Sequence, residues 1–440
     1  MISHVLRGFS ESFTDNPQYT ADLNELLAWT MCTPRPLSLF EIDALLKWRS
    51  PEGEGWIWLE GSLRVQFASV FLLTREDGLS TPDLKRGLNY TDHGDSEEQS
   101  ECDSENEDID SNSDFNSDHK TTTVSFCQAS LGEFFRSEET KVSARPTSPY
   151  IGVNYHEARA LVLSRCFEII QNKESPKEQI ALALRPYACS SLVEFLAAVD
   201  MSQITKEIKK AIGFQLAELL SDESGLEAFV SPDGINFFTQ DALGIFNKWL
   251  GDPDVQEALP DKTKIWYSNA IADSPAEILR PIVSYIASHW IQTLSWCPAI
   301  SLLTIHDFTI LQNPDSYLDI NPQEEILQSA NRDQREHDAH WYGRFGQAFI
   351  SFGFHDEGIE YLQKALQIDP ELWKFRSYMA CSYRDIGESA KALEIHQTNI
   401  NQLNEMEQSF EIRKILHQEY ESVADCYSRL KDKENAFSVL

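Results

Sequence analysis

The stretch WYGRFGQAFISFGFHDEGIEYLQKALQIDP, Trp341–Pro370, decides the fold. Tyr342, Phe345, Gly346 and Phe349 fall at helical spacing before Gly353, and Gly358, Leu362 and Ala365 do so after it. Two apolar stripes of helical period, separated by a glycine and closed by a proline, read as two helices joined by a tight turn. Gly387 lies 34 residues further on, and aligning the two glycines brings Met379, Ala380, Tyr383 and Ala392 into the same pattern. A third unit follows an insertion of about ten residues, with Tyr420, Val423, Ala424, Tyr427 and Ala436. The small residues let paired helices approach closely, and the aromatics fill the groove between them.

A helix–turn–helix period of this length resembles the tetratricopeptide repeat. The resemblance implies an α-solenoid over 339–440 with about three repeats, the last incomplete because Leu440 falls inside its second helix. A partner or a longer chain would then complete the array. Such arrays hold a protein or peptide along the groove made by their first helices. The groove candidates are His340, Gln347, Ile350, Lys374 and Arg384, whose plainer reading is solvated repeat surface. A carboxylate clamp of the chaperone-binding kind wants Lys and Asn at successive first-helix positions. Gly343 and Gln347 stand there in the first repeat, which disfavours that ligand.

At 440 residues, 42% of them hydrophobic, the chain is long enough for two or three domains with cores of their own. A net charge of −33 argues against nucleic acid and anionic membranes as partners. Between Asp92 and Asp118 there are twelve Asp or Glu and no Lys or Arg. Such a tract buries too little apolar surface to offset its ordering entropy and is expected to be disordered. The eight cysteines are scattered with no CxxC, which reads as reduced thiols in an intracellular, cytoplasmic protein. Ile282–Ile305 has no charged residue, yet it contains His289, Gln292 and Pro298. It reads as two buried helices broken near Trp296–Pro298 rather than a membrane span.

The first segment, 1–136, begins with helical spacing at Leu23, Leu26 and Leu27, ended by Pro34 and Pro36. Ser38 followed by Glu41 is a capping box opening a second helix with Ile42, Leu45 and Leu46 on its apolar face. PEGEG, Pro51–Gly55, reads as a turn. Short strands are expected at Ile57–Leu59, Val70–Thr74 and Thr121–Cys127, with a helical turn at Leu63–Phe67 and a closing helix from Ser130 to Arg136. Helices followed by strands joined through a wing describe a winged helix-turn-helix unit. The acidic insertion, at about 86–120, falls in the wing, where loop closure tolerates added length. The second segment, 150–331, reads as a helical linker domain with helices at Tyr155–Gln171, Glu178–Val199, Thr205–Leu220, Phe237–Leu250, Lys262–Ala272 and Ile278–Leu294. LRPYACSSLVEFL and RPIVSYIASHWIQTL within it are loosely alike, as two turns of a short solenoid or as unrelated amphipathic helices. The fold class expected is mainly α: a small winged-helix α+β unit, a helical linker bundle and a C-terminal tetratricopeptide α-solenoid.

DLNELLAWTMCTPRPLSLFEIDALLKWRSPEGEG, LEGSLRVQFASVFLLTREDGLSTPDL and VSFCQASLGEFFR together resemble the region following the NTPase core in fungal NACHT-type STAND receptors. That resemblance implies a winged-helix domain that holds or releases the core, a helical linker, and repeats that sense a ligand. The sequence departs from the family twice. It has no G-x-x-x-x-G-K-[ST] phosphate loop, and Gln128 stands where relatives carry a His that watches the nucleotide. Gln can donate a hydrogen bond but carries no charge, so Gln128 reads as a degenerate sensor and a structural turn residue. The partners implied are a protein or peptide in the groove, and an NTPase core in a longer chain or a second copy. A free-standing scaffold recruiting a client is the alternative.

No G-x-S-x-G, H-E-x-x-H or G-x-G-x-x-G occurs, so neither catalysis nor a cofactor is expected. His337 and His340 are spaced for one helix face but have no evident third ligand, and no metal is expected. Leu37–Trp48, the candidate DNA-reading region, sets Lys47 and the adjoining Arg49 against Glu41 and Asp43 and forms no basic patch.

Overall fold

The structure is a computed structural model that describes residues 2–50, 58–82, 118–137, 143, 148–172, 177–230, 238–293, 296–312, 321–324, 326–327 and 337–439. The turn expected at Pro51–Gly55, Ile57, and all but the end of the acidic tract lie outside the described residues. In chain order the elements are α1 (Ile2–Ser12), α2 (Pro17–Cys32), β1 (Leu37–Ser38), α3 (Leu39–Arg49), α4 (Leu59–Arg64), β2 (Phe71–Thr74), β3 (Thr123–Phe126) and α5 (Ala129–Arg136). There follow α6 (Tyr155–Gln171), α7 (Glu178–Ala198), α8 (Lys206–Ser221), α9 (Glu223–Phe229), α10 (Gln240–Leu250), α11 (Pro253–Ala258), α12 (Asp261–Asp273), α13 (Arg280–Gln292) and α14 (Pro298–Gln312). The last are α15 (Ala339–Ser351), α16 (His355–Ile368), α17 (Trp373–Asp385), α18 (Ser389–Glu405), α19 (Phe410–Arg429) and α20 (Lys433–Val439). The chain is mainly α, as its sequence pattern predicts. It divides into two compact units, Met1–Leu219 with Gly244–Lys264, and Leu220–Leu243 with Ile265–Leu440. The division passes through the middle of the 150–331 segment.

In the first unit the Ser38 capping box forms: Ser38 Oγ accepts from the Glu41 amide at 3.2 Å, and Glu41 Oε2 accepts from the Ser38 amide at 2.8 Å. This fixes where α3 starts and keeps β1 extended just before it. The three strands make an antiparallel sheet in the order β1-β3-β2, with Leu37 and Leu73 both opposite Val124. All three side chains are buried, so one face of this small sheet supplies core. Phe126 stacks on Phe71 and on Phe135, which ties α5 back to the strands. Of the strand expected at Ile57–Leu59, the described residues are not strand: Trp58 is in a turn and Leu59 opens α4, where it and Leu63 are buried one turn apart. The first strand is instead Leu37–Ser38, too short to leave an alternation in the sequence.

Helices α2 and α3 pack on α6 and α7. Trp29, fully buried, lies 6.3 Å from the Tyr187 ring and 6.4 Å from that of Phe195. Each such large side chain withdrawn from water contributes roughly 1.5–3 kcal/mol. Among the described residues one helix, α7, is long and apolar enough to cross a membrane. Its Leu184, Tyr187, Leu192 and Phe195 are buried in this unit, which is the pattern of a core helix.

In the second unit α13 ends at Gln292 and α14 starts at Pro298, so Ile282–Ile305 is two helices with the expected break. The repeats follow as three pairs, α15/α16, α17/α18 and α19/α20, each closed by the same turn. Gly353, Gly387 and Lys431 have φ of 84°, 91° and 62°. After each, the next amide bonds back to the carbonyl five residues earlier: Phe354 to Phe349 at 3.0 Å, Glu388 to Tyr383 at 2.8 Å, Asp432 to Tyr427 at 2.9 Å. This is a Schellman cap, whose left-handed residue is ordinarily glycine. Across the first pair the helices nearly touch: a Cβ on Gly346 would meet the Gly358 carbonyl oxygen at 2.9 Å, and one on Gly358 would meet Gly346 O at 2.9 Å. Ala380 and Ala392 take these places one repeat on, both fully buried.

Candidate functional site

The groove candidates do not form one surface. His340 is exposed, with its ring edge-on to Phe375 at 5.8 Å. Lys374 is exposed, with Nζ 5.5 Å from the Trp373 ring centroid. Arg384 is half-buried and runs between helices, with Nε 3.2 Å from Asp385 and 3.6 Å from Asp425 on α19. Gln347 and Ile350, by contrast, are not open to a ligand. Gln347 is buried, and its Oε1 accepts from Arg344 Nη1 at 2.5 Å. Ile350 is packed into the first helix pair against Gly358. Both are drawn inward by neighbours that spacing on a single helix does not reveal. Gln128 is exposed at the N-cap of α5 and gives that helix no side-chain cap; Ser130 Oγ lies 3.5 Å from its Oε1. His337, the other half of the histidine pair, stacks on Trp341 with ring centroids 3.8 Å apart.

Sequence reading passed over Arg344. Its guanidinium is 1% exposed, and its hydrogen bonds go to carbonyl and amide oxygens rather than to a carboxylate. Nε and Nη2 donate to Trp290 O at 2.7 and 2.5 Å, and Nη2 also donates to Trp296 O. Trp290 lies in the last turn of α13, where carbonyls lack a helical partner and the helix dipole is negative. Burial pulls the Arg344 guanidinium down to about 10. The group stays charged, held by carbonyl oxygens, and clips α15 to the end of α13.

The second contact between repeats is built differently from the first. Between α16 and α17 the packing is apolar: Leu362, Ala365 and Phe375 are all buried together. One repeat further on, aligned through Gly387 and Lys431, the same three positions are His396, Asn399 and Glu419, buried to 0%, 0% and 4% exposure. His396 Nδ1 lies 2.6 Å from Glu419 Oε2. Glu419 Oε1 accepts from Ser377 Oγ at 2.5 Å and from Asn399 Nδ2 at 3.4 Å. Burial opposes charge on His396, yet its neighbours Cys381 and Glu419 prevail and raise it to about 9. Aligning the repeats exposes this substitution; reading α18 and α19 singly does not.

The first unit contains an apolar cleft of about 530 Å³ lined by Asn24, Val153, Ala158, Leu161, Ile208 and Ile212. No group of three or more His, Cys, Asp or Glu able to hold a metal occurs among the described residues.

The class these features define is a mainly α protein ending in a helical-repeat array. No protein-family model matches the chain, and no curated protein matches it. Among solved structures it is similar to IFIT1, a monomeric mutant with Gppp-AAAA, at 13% identity and a TM-score of 0.24. The match covers 65% of this chain and 64% of that one, so the chain spans less than two thirds of that protein. A likeness at that level carries no argument about function.

Proposed function

We propose that the chain is a non-catalytic, cytoplasmic protein-interaction scaffold whose repeats recruit a protein or peptide. The observation that carries this reading is three consecutive helix pairs on one turn geometry, with large apolar side chains left outward. Phe410 is 77% exposed and Phe437 81%, and Tyr378 and Ile386 are half-exposed. Large apolar side chains left in solvent are a resource for partner binding. A photo-crosslinking residue at Lys374 or Phe437 should trap a partner, and one at Glu360 on α16 should not. Equal trapping at all three positions, or at none, rejects the reading.

A narrower reading is the regulatory module of a STAND-type receptor. It is supported by the order helix, strand, helix, helix, strand, strand, with a β1-β3-β2 sheet, which suits a winged helix. Gln128 would sit where such a module meets a nucleotide-binding core. This reading expects the chain by itself to bind neither ATP nor ADP in calorimetry; micromolar binding would sink it.

A further inference from the structure

The cleft of the first unit lies between two helical stripes. Ala158 and Leu161 of α6 stand one turn apart, and so do Ile208 and the pair Ala211 and Ile212 of α8. Alanines stand at two of these places, where larger side chains would fill the space between the helices. Leu161 stays 37% exposed, and Ala211 is open to solvent. The third wall is the segment 150–154, and α2 holds it in place. Asn24 Nδ2 donates to Tyr150 O at 3.0 Å, and Asn24 Oδ1 accepts from the Gly152 amide at 2.8 Å. Gly152 sits at φ 122°, a conformation glycine favours, and Val153 after it is buried at the cleft. A wall pinned by both ends of one side-chain amide is formed before any ligand arrives.

The volume, about 530 Å³, falls within the span of about 300–1,000 Å³ usual for small-molecule sites. Its chemistry is one-sided. Val153, Leu161, Ile208 and Ile212 offer hydrocarbon, and exposed Glu157 in the first turn of α6 is the lone ionisable residue among the described lining residues. No described lysine or arginine lines the cleft; Lys209 of α8 is held by Asp252 and Asp254, and Lys210 by Glu257. A hydrocarbon trough with a carboxylate at its rim suits a molecule with an apolar body and a cationic head, and disfavours a fatty acid. We propose that this cleft binds a single-chain amphiphile with an amine head, its chain along Leu161 and Ile208 and its ammonium beside Glu157. The site belongs to the first unit alone, so it stands apart from the scaffold reading of the repeats.

The experiment titrates the full chain with N-phenyl-1-naphthylamine, an uncharged apolar dye, at neutral pH. The bound dye is then displaced by dodecylamine or by dodecanoate, each below its micellar concentration. Ala211→Trp, at an exposed position, fills the trough and should weaken dye binding at least about tenfold. Dodecylamine should displace the dye at concentrations at least about fivefold lower than dodecanoate does, and Glu157→Gln should shrink that preference to about twofold or less. Dye binding unchanged in Ala211→Trp, or equal displacement by the amine and the carboxylate in the native chain, overturns the proposal. If Ala211→Trp unfolds, Glu157→Gln decides alone, and an unchanged preference for the amine overturns the proposal.

Discussion

Lys431 holds the left-handed backbone conformation that Gly353 and Gly387 hold in the two preceding turns, at φ 62° against 84° and 91°. The hydrogen bonds around it are the same as theirs. The fold therefore imposes the conformation, and the side chain opposes it.

Lys431→Gly is accordingly expected to stabilise the last pair. The strain relieved is about 1–2 kcal/mol and the added entropy of glycine offsets about half of it, leaving a gain of about 0.5–1 kcal/mol. Gly387→Ala should shift stability in the opposite sense by a similar amount. Thermal unfolding followed at 222 nm measures both, and an unchanged midpoint for Lys431→Gly would refute the strain argument.

Gly346→Ala should weaken the first helix pair by about 1–3 kcal/mol, because its Cβ would fall 2.9 Å from a backbone oxygen and 2.8 Å from Leu362 Cγ. Ala380→Gly, at the same place one repeat on, should instead cost only the loss of a methyl and helix propensity, about 1 kcal/mol. Urea titration of the two variants separates a crowded crossing from a merely small residue.

Arg344→Met keeps the length of the side chain but strands the carbonyls of Trp290 and Trp296. Leaving buried acceptors unpaired costs about 1–3 kcal/mol. Hydrogen exchange should accelerate roughly tenfold or more in α13 and α15, and not in α18 or α19. Uniform acceleration across the repeats would show that Arg344 has no local clipping role.

The His396 network makes stability depend on pH. The folded protein holds His396 at about 9 against an ordinary 6.5, so folding favours the protonated ring. Its contribution is fully present below pH 6.5 and is lost as pH rises through 9. Melting should fall across that window in the native chain, and the fall should shrink in His396→Leu/Glu419→Phe. A parallel fall in both would place the titration elsewhere, in groups other than Cys381, Ser377, Asn399 and Glu419 around the ring.

Much of the helical pattern was legible because apolar spacing and capping are local. Tyr155–Gln171 was read to the residue, and the Ser38 box marked the start of α3. β1 was missed because two residues carry no period, and Leu59 was given to a strand because a short apolar run suits either element. In the site, His340 and Lys374 are exposed as their spacing suggests. Gln347 and Ile350 are not, since Arg344 and Gly358 draw them inward from other turns and helices. The His396, Asn399 and Glu419 trio looks like ordinary surface in any one helix. It becomes visible when its positions are laid on Leu362, Ala365 and Phe375.

The ten residues added between the second and third turns lengthen no connection. Four residues join α16 to α17, and four join α18 to α19. The whole addition is helix: α18 has 17 residues where α16 has 14, and α19 has 20 where α17 has 13. One hairpin thus overhangs its neighbour by roughly one to two turns and carries Phe410 at its corner. A strictly periodic array looks alike after each step, and a long ligand could slide along it by one unit. This array contains a landmark, so a ligand that spans the overhang can be read in only one frame.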